Sequence, residues 1–173
     1  MASNTTVTLL PDAGPLITLA YADALHLLLK PGWLVALVDM VQHEVTRSET
    51  PTSTRIVTWA RNNSIPVLET NLYHRYMQAN MASPVRKANL GELAIQEAMS
   101  GFGLAAEQTG IFLFEDHKIA RASFLLPDNC RKVSTRAFLL FLEQQNLIDS
   151  AVEVERRAVL AGRQFSQIRF PPE

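Results

Sequence analysis

Two short, unbroken apolar runs constrain this chain more than any other feature: Trp33 to Val38 (WLVALV) and Ile111 to Phe114 (IFLF). They are too short for buried helices and show no polar alternation. Such runs fit strands covered on both faces, as in parallel sheets flanked by helices. Val7 to Leu10 is a third run and stops at Pro11-Asp12. Ile65 to Leu68 is a fourth, with Pro66 suggesting an edge position, and Arg131 to Ser134 a fifth. Between them lie helix-like stretches: Leu16 to Leu29, Asp39 to Arg47, Thr52 to Asn62, Asn71 to Met81, Asn89 to Met99, His117 to Ser123, Thr135 to Gln145 and Ser150 to Ala161. This alternation predicts an α/β three-layer sandwich with a central, mostly parallel five-stranded sheet.

The 173 residues suit a single domain spanning 1–173, with no repeat or linker to divide it. Apolar residues at 47% and charged residues at 19% place the chain among globular proteins rather than disordered ones. A net charge of −1 means that a nucleic-acid partner would be held by a local basic patch or through metal ions. Cys130 is the one cysteine, which excludes an intrachain disulfide and thiolate zinc sites and fits a reducing cytoplasm. The opening MASNTTVTLLPDAG lacks the basic start and apolar core of a signal peptide. Lys30, Pro31 and Gly32 interrupt the most apolar stretch, Leu25 to Val38, so no membrane span is expected.

Four acids stand where a parallel fold gathers ligand-binding groups. Asp12 and Asp116 each close an apolar run, and Glu44 and Glu92 each sit early in a helix-like segment. In open parallel sheets the carboxyl ends of the strands carry the site. Each acid also has an ordinary structural role open to it: Asp12 and Asp116 as helix caps, Glu92 in a capping box with Asn89, Glu44 as a solvated helix residue.

The sequence around these acids resembles the PIN-domain family, in particular its branch of small prokaryotic proteins related to VapC-type toxins. The likeness is carried by VTLLPDAGPLITLA (7–20), LGELAI (90–95) and IFLFEDHKIARA (111–122), in matching order over roughly residues 6 to 148, leaving a C-terminal helix and tail over 149–173. It implies strand order 3-2-1-4-5, which would set Asp12 beside Asp116 and bring Glu44 and Glu92 to the same place. Carboxylates that close repel one another unless cations hold them, and oxygen-only donors suit Mg²⁺ or Mn²⁺. The resemblance thus implies a metal-dependent endoribonuclease. Asp12 and Asp116 would be the principal ligands, Glu92 a third, Glu44 a direct or water-mediated one, and Glu115 an outer-shell group. Gly14 departs from the Ser or Thr that many members carry there, with Thr18 as a substitute polar group.

Arg86, Lys87, Lys118 and Arg121 flank these acids in sequence and are candidates to hold RNA phosphates. Tyr73, His74 and Tyr76 can stack bases or pack helices. The four histidines show no zinc spacing, and His117 is placed for a phosphate contact. Phe138 to Leu142 makes one helix apolar nearly all round, as core or as a homodimer face. The stretch Asp149 to Phe170, with Arg156, Arg157 and Arg163, is a candidate grip for RNA or for an antitoxin protein, the partner that the toxin resemblance implies. Two other readings compete: a PIN-like scaffold that binds RNA or protein without cutting, which Gly14 supports, and an unrelated receiver-like or phosphohydrolase domain, whose acidic patterns are missing here.

Overall fold

Strand β1, Thr6–Pro11, begins in β-branched residues and continues through Leu9 and Leu10, both fully buried. Consecutive strand residues point to opposite faces, so this sheet is covered on both sides. A computed structural model describes residues 4–82, 90–105, 107–115 and 126–164. Asp12 stops β1 and caps helix α1, Ala13–Tyr21, by accepting the Ala13 N–H at 2.8 Å. The helix predicted to run on to Leu29 is broken by Asp23, whose φ of 53° is left-handed. Aspartate tolerates that conformation, and the Asp23 and Ala24 N–H groups close the helix end on Ala20 and Leu19. The chain resumes as a 3₁₀ turn, Leu25–Leu29.

The strand predicted over Trp33 to Val38 is two strands, β2 (Leu34–Val35) and β3 (Leu37–Val38). The cause lies in the hydrogen bonds on either side of one residue: the Ala36 N–H still donates to Leu9 of β1, whereas the Leu37 N–H donates to Pro66, before β4 (Val67–Leu68). Helices α2 (Asp39–Thr46) and α3 (Pro51–Asn62) lie between β3 and β4. Thr50 and Ser53 form a reciprocal capping box at the start of α3. Then follow α4 (Asn71–Ala82), α5 (Leu90–Ser100), β5 (Gln108–Phe114), β6 (Cys130–Ser134), α6 (Thr135–Gln144) and α7 (Ala151–Leu160).

Among the described residues, the expected single five-stranded sheet is therefore a four-stranded parallel sheet, β2-β1-β5-β6, and a separate parallel pair, β3-β4. The longest ladder joins β1 to β5 and runs to Pro11 opposite Leu113. Phe112 and Leu113 are fully buried, again on opposite faces. Burying each such side chain contributes on the order of 2 kcal/mol.

Helix α6 belongs to this core. Phe138, Leu139 and Leu142 are buried, and Phe141 stacks on Trp33 with ring centroids 5.4 Å apart. Most of its apolar perimeter thus packs against this core. Arg136 holds Glu155 of α7 through two parallel bonds of 2.7 and 2.9 Å, a geometry that fixes orientation as well as charge. No described helix is long and apolar enough to cross a membrane.

Candidate metal centre

The carboxyl ends of β1, β3 and β5 lead into Asp12, Asp39 and Glu115, all buried. They do different work. Asp39 closes WLVALV as Asp12 closes its own run, and that shared signature marks it as a candidate the sequence reading passed over. Its oxygens accept the Met40 N–H at 2.7 Å, the Thr70 N–H at 2.6 Å and the Thr70 hydroxyl at 2.8 Å. Those bonds tie the ends of β3 and β4 together and commit both oxygens.

Asp12 has a second environment besides its cap. Helix α5 brings Gly91 against it, buried and without a side chain. The point where a Cβ on Gly91 would stand lies 3.3 Å from Asp12 Oδ1 and 2.8 Å from Glu44 Oε2. Glycine is what lets the two carboxylates approach the same patch of α5 backbone. Glu92, the next residue, occupies the first turn of α5 and is half-buried.

The electrostatics record this crowding. Burial pushes the Glu44 carboxyl above its ordinary range, and the charge of Glu92 pushes it further; the Gly91 N–H and the Arg47 guanidinium pull it back in part. Burial and a like charge both disfavour ionisation. Three of the four acids singled out from sequence, Asp12, Glu44 and Glu92, therefore share one neighbourhood around Gly91. The fourth, Asp116, lies outside the described residues, as do His117 and the basic candidates Arg86, Lys87, Lys118 and Arg121. Among the described residues, no three acidic, histidine or cysteine side chains are grouped closely enough to hold an ion by themselves. The donors that do approach one another are carboxylate oxygens, which fit a hard divalent cation such as Mg²⁺ or Mn²⁺ and not a soft one.

Glu115 has another arrangement. Its Oε2 accepts the Thr18 hydroxyl at 2.8 Å and the Arg163 guanidinium at 3.1 Å. Burial raises its pKa, opposed by Arg163 and by the hydroxyls of Thr18 and Thr135. Thr18 thus serves Glu115, in company with a residue not expected there. Arg163, assigned from sequence to a surface for RNA or a partner, has a side chain only 12% exposed and is engaged inside the protein. Its signal was faint: a basic residue just after Gly162, where a helix ends.

Tyr73 and Tyr76 of α4 pack around His43 of α2, with ring centroids 5.8 and 5.6 Å away. They join the two helices and so support the segment carrying Glu44. Arg156 makes an exposed pair with Glu153 at 3.5 Å, of little energetic weight. Compared with protein-family models, with curated proteins and with solved structures, the chain matches none.

Proposed function

We propose that this chain is a metal-dependent endoribonuclease of the PIN type, using Mg²⁺ or Mn²⁺, and the toxin half of a toxin–antitoxin pair. The observation that carries this reading is the approach of Asp12 and Glu44 to one point over Gly91, with Glu92 close enough to raise the Glu44 pKa. The Asp12 oxygen that caps α1 is also the one nearest Gly91, and Glu44 reaches the same point from α2. The strand pattern lends support: read through the break at Ala36, β4-β3 followed by β2-β1-β5-β6 runs in the 3-2-1-4-5 sense that the resemblance implies.

In this reading Asp12, Glu92 and Asp116 are the principal ligands and Glu44 is the adjustable one. A bound divalent ion would supply an activated water and offset charge building on the phosphodiester. The protein's own contribution is positional. β1 and the cap of α1 fix Asp12, Gly91 leaves room for two carboxylates, and the Gly91 N–H orients Glu44. Burial and the charge of Glu92 make Glu44 hold a proton more tightly than a free glutamate, so protons compete with the ion for it. Arg86, Lys87, Lys118 and Arg121 are assigned to the RNA phosphates. A protein antitoxin and a second copy of the chain complete the proposal as partners; co-purification from the native host and light scattering test them.

The test is cleavage of structured and single-stranded RNA with Mn²⁺ or Mg²⁺, then with EDTA, beside Asp12→Asn, Glu44→Gln and Asp116→Asn. Wild type should cut only with the metal, and each variant should lose about a hundredfold or more in rate. Undiminished cleavage by Asp12→Asn or Asp116→Asn would sink the metal-site reading. A non-cutting RNA- or protein-binding scaffold is the second reading, favoured by Gly14, which faces Glu115 and Arg163 rather than offering a hydroxyl. Tight RNA binding with no metal-dependent cleavage would select it.

A further inference from the structure

We propose that Arg163 is a built-in cation that withdraws Glu115 from the metal-holding acids, so that the site takes one divalent ion per chain. This rests on the metal-dependent reading above and specifies how many ions it uses. The construction begins in the backbone. Helix α7 ends with the Gly162 N–H on Val159 and the Arg163 N–H on Ala158, at 3.1 and 2.9 Å. Gly162 has φ 122°, a conformation glycine adopts at little cost. That turn sends the Arg163 side chain back beneath the helix instead of out into solvent.

There the guanidinium is engaged on two sides. Nε donates to the Thr18 hydroxyl at 2.9 Å, and Nη2 reaches Glu115 Oε2 at 3.1 Å and the Gly14 carbonyl at 3.5 Å. Thr18 in turn donates to the same Glu115 oxygen. Gly14 leaves the necessary space: a Cβ there would stand 3.3 Å from Glu115 Cβ and 3.7 Å from Arg163 Nη2. The pair is nearly closed to solvent, with side chains 12% and 5% exposed.

A second divalent ion on Glu115 would meet a fixed positive charge already bonded to that carboxylate. The repulsion is large where water is scarce. Arg163 is therefore a positioning residue: it keeps Glu115 an internal ion-pair partner and leaves metal binding to the acids around Gly91.

The experiment counts Mn²⁺ on the full chain by electron paramagnetic resonance titration, beside Glu115→Gln and Glu44→Gln, and follows melting temperature for Glu115→Leu, Arg163→Met and the double variant. One ion per wild-type chain is expected. Glu115→Gln should keep Mn²⁺ affinity within about twofold, and Glu44→Gln should weaken it about tenfold or more. Each single apolar variant should melt well below wild type, and the double variant should recover much of the loss. Two ions of similar affinity on wild type, or an affinity loss in Glu115→Gln matching that of Glu44→Gln, would overturn the proposal. If wild type binds no Mn²⁺, the metal-dependent reading itself falls and the single-ion proposal with it. Additive melting effects would instead refute only the Glu115–Arg163 pairing.

Discussion

At the scale of single residues, Gly91 is where packing and chemistry meet. An alanine there would place its methyl 2.8 Å from Glu44 Oε2, against the far end of a flexible side chain that can swing aside. Alanine also favours a helix over glycine by up to about 1 kcal/mol. Gly91→Ala should therefore leave the melting temperature within a few degrees of wild type while lowering Mn²⁺ affinity and cleavage about tenfold or more. Calorimetry and metal titration on one preparation check both halves; a variant that binds metal normally would show that Glu44 needs no such clearance. Asp12 and Glu92 could be singled out in the sequence as candidates because one closes an apolar run and the other opens a helix. The roles of Gly91 and Arg163 could not be read there, because each depends on a contact between segments far apart in the chain. Asp12 and Asp39 show the same limit: both close a strand, and only tertiary hydrogen bonds reveal that Asp39 is committed to Thr70.

Among elements, Asp39 is the bond that matters most to the β3–β4 pair, since each strand has only two residues. Asp39→Ala would strip partners from the buried Thr70 N–H and hydroxyl and from the Met40 N–H. We expect a loss of about 2–4 kcal/mol in urea unfolding, because unsatisfied buried donors keep their desolvation cost. An effect under about 0.5 kcal/mol, ordinary for surface positions, would contradict that account. The strands and most helices could be read from apolar runs, turn residues and caps, as with the capping box at Thr50 and Ser53. The breaks could not. At Ala36 the side chains stay uniformly apolar while the backbone changes partner, and at Asp23 the helix ends on a residue that no pattern marks as a terminator. Side-chain periodicity reports burial, not which carbonyl an amide chooses.

For the whole molecule, protons and metal compete for the same acids. Glu44 and Glu115 both have folded-state pKa values raised above the ordinary 4.5. The native state holds their protons more tightly than the unfolded chain, so the stability they contribute is full below 4.5 and is lost as pH rises through the raised values. A cation bound at Glu44 reverses part of that loss at neutral pH. Melting curves with and without Mn²⁺ should show a stabilisation that grows with pH across this window, reaching about 2.7 kcal/mol where the ion is at a hundred times its dissociation constant. A metal effect independent of pH would remove Glu44 from the ligand set. The break at Ala36 gives this stabilisation a mechanical side. Asp12 follows the four-stranded sheet, while Glu44 rides on α2, which grows directly from β3 of the smaller pair. The two carboxylates stand on opposite banks of a seam in the hydrogen-bond network, and an ion shared between them would act as a rivet across it.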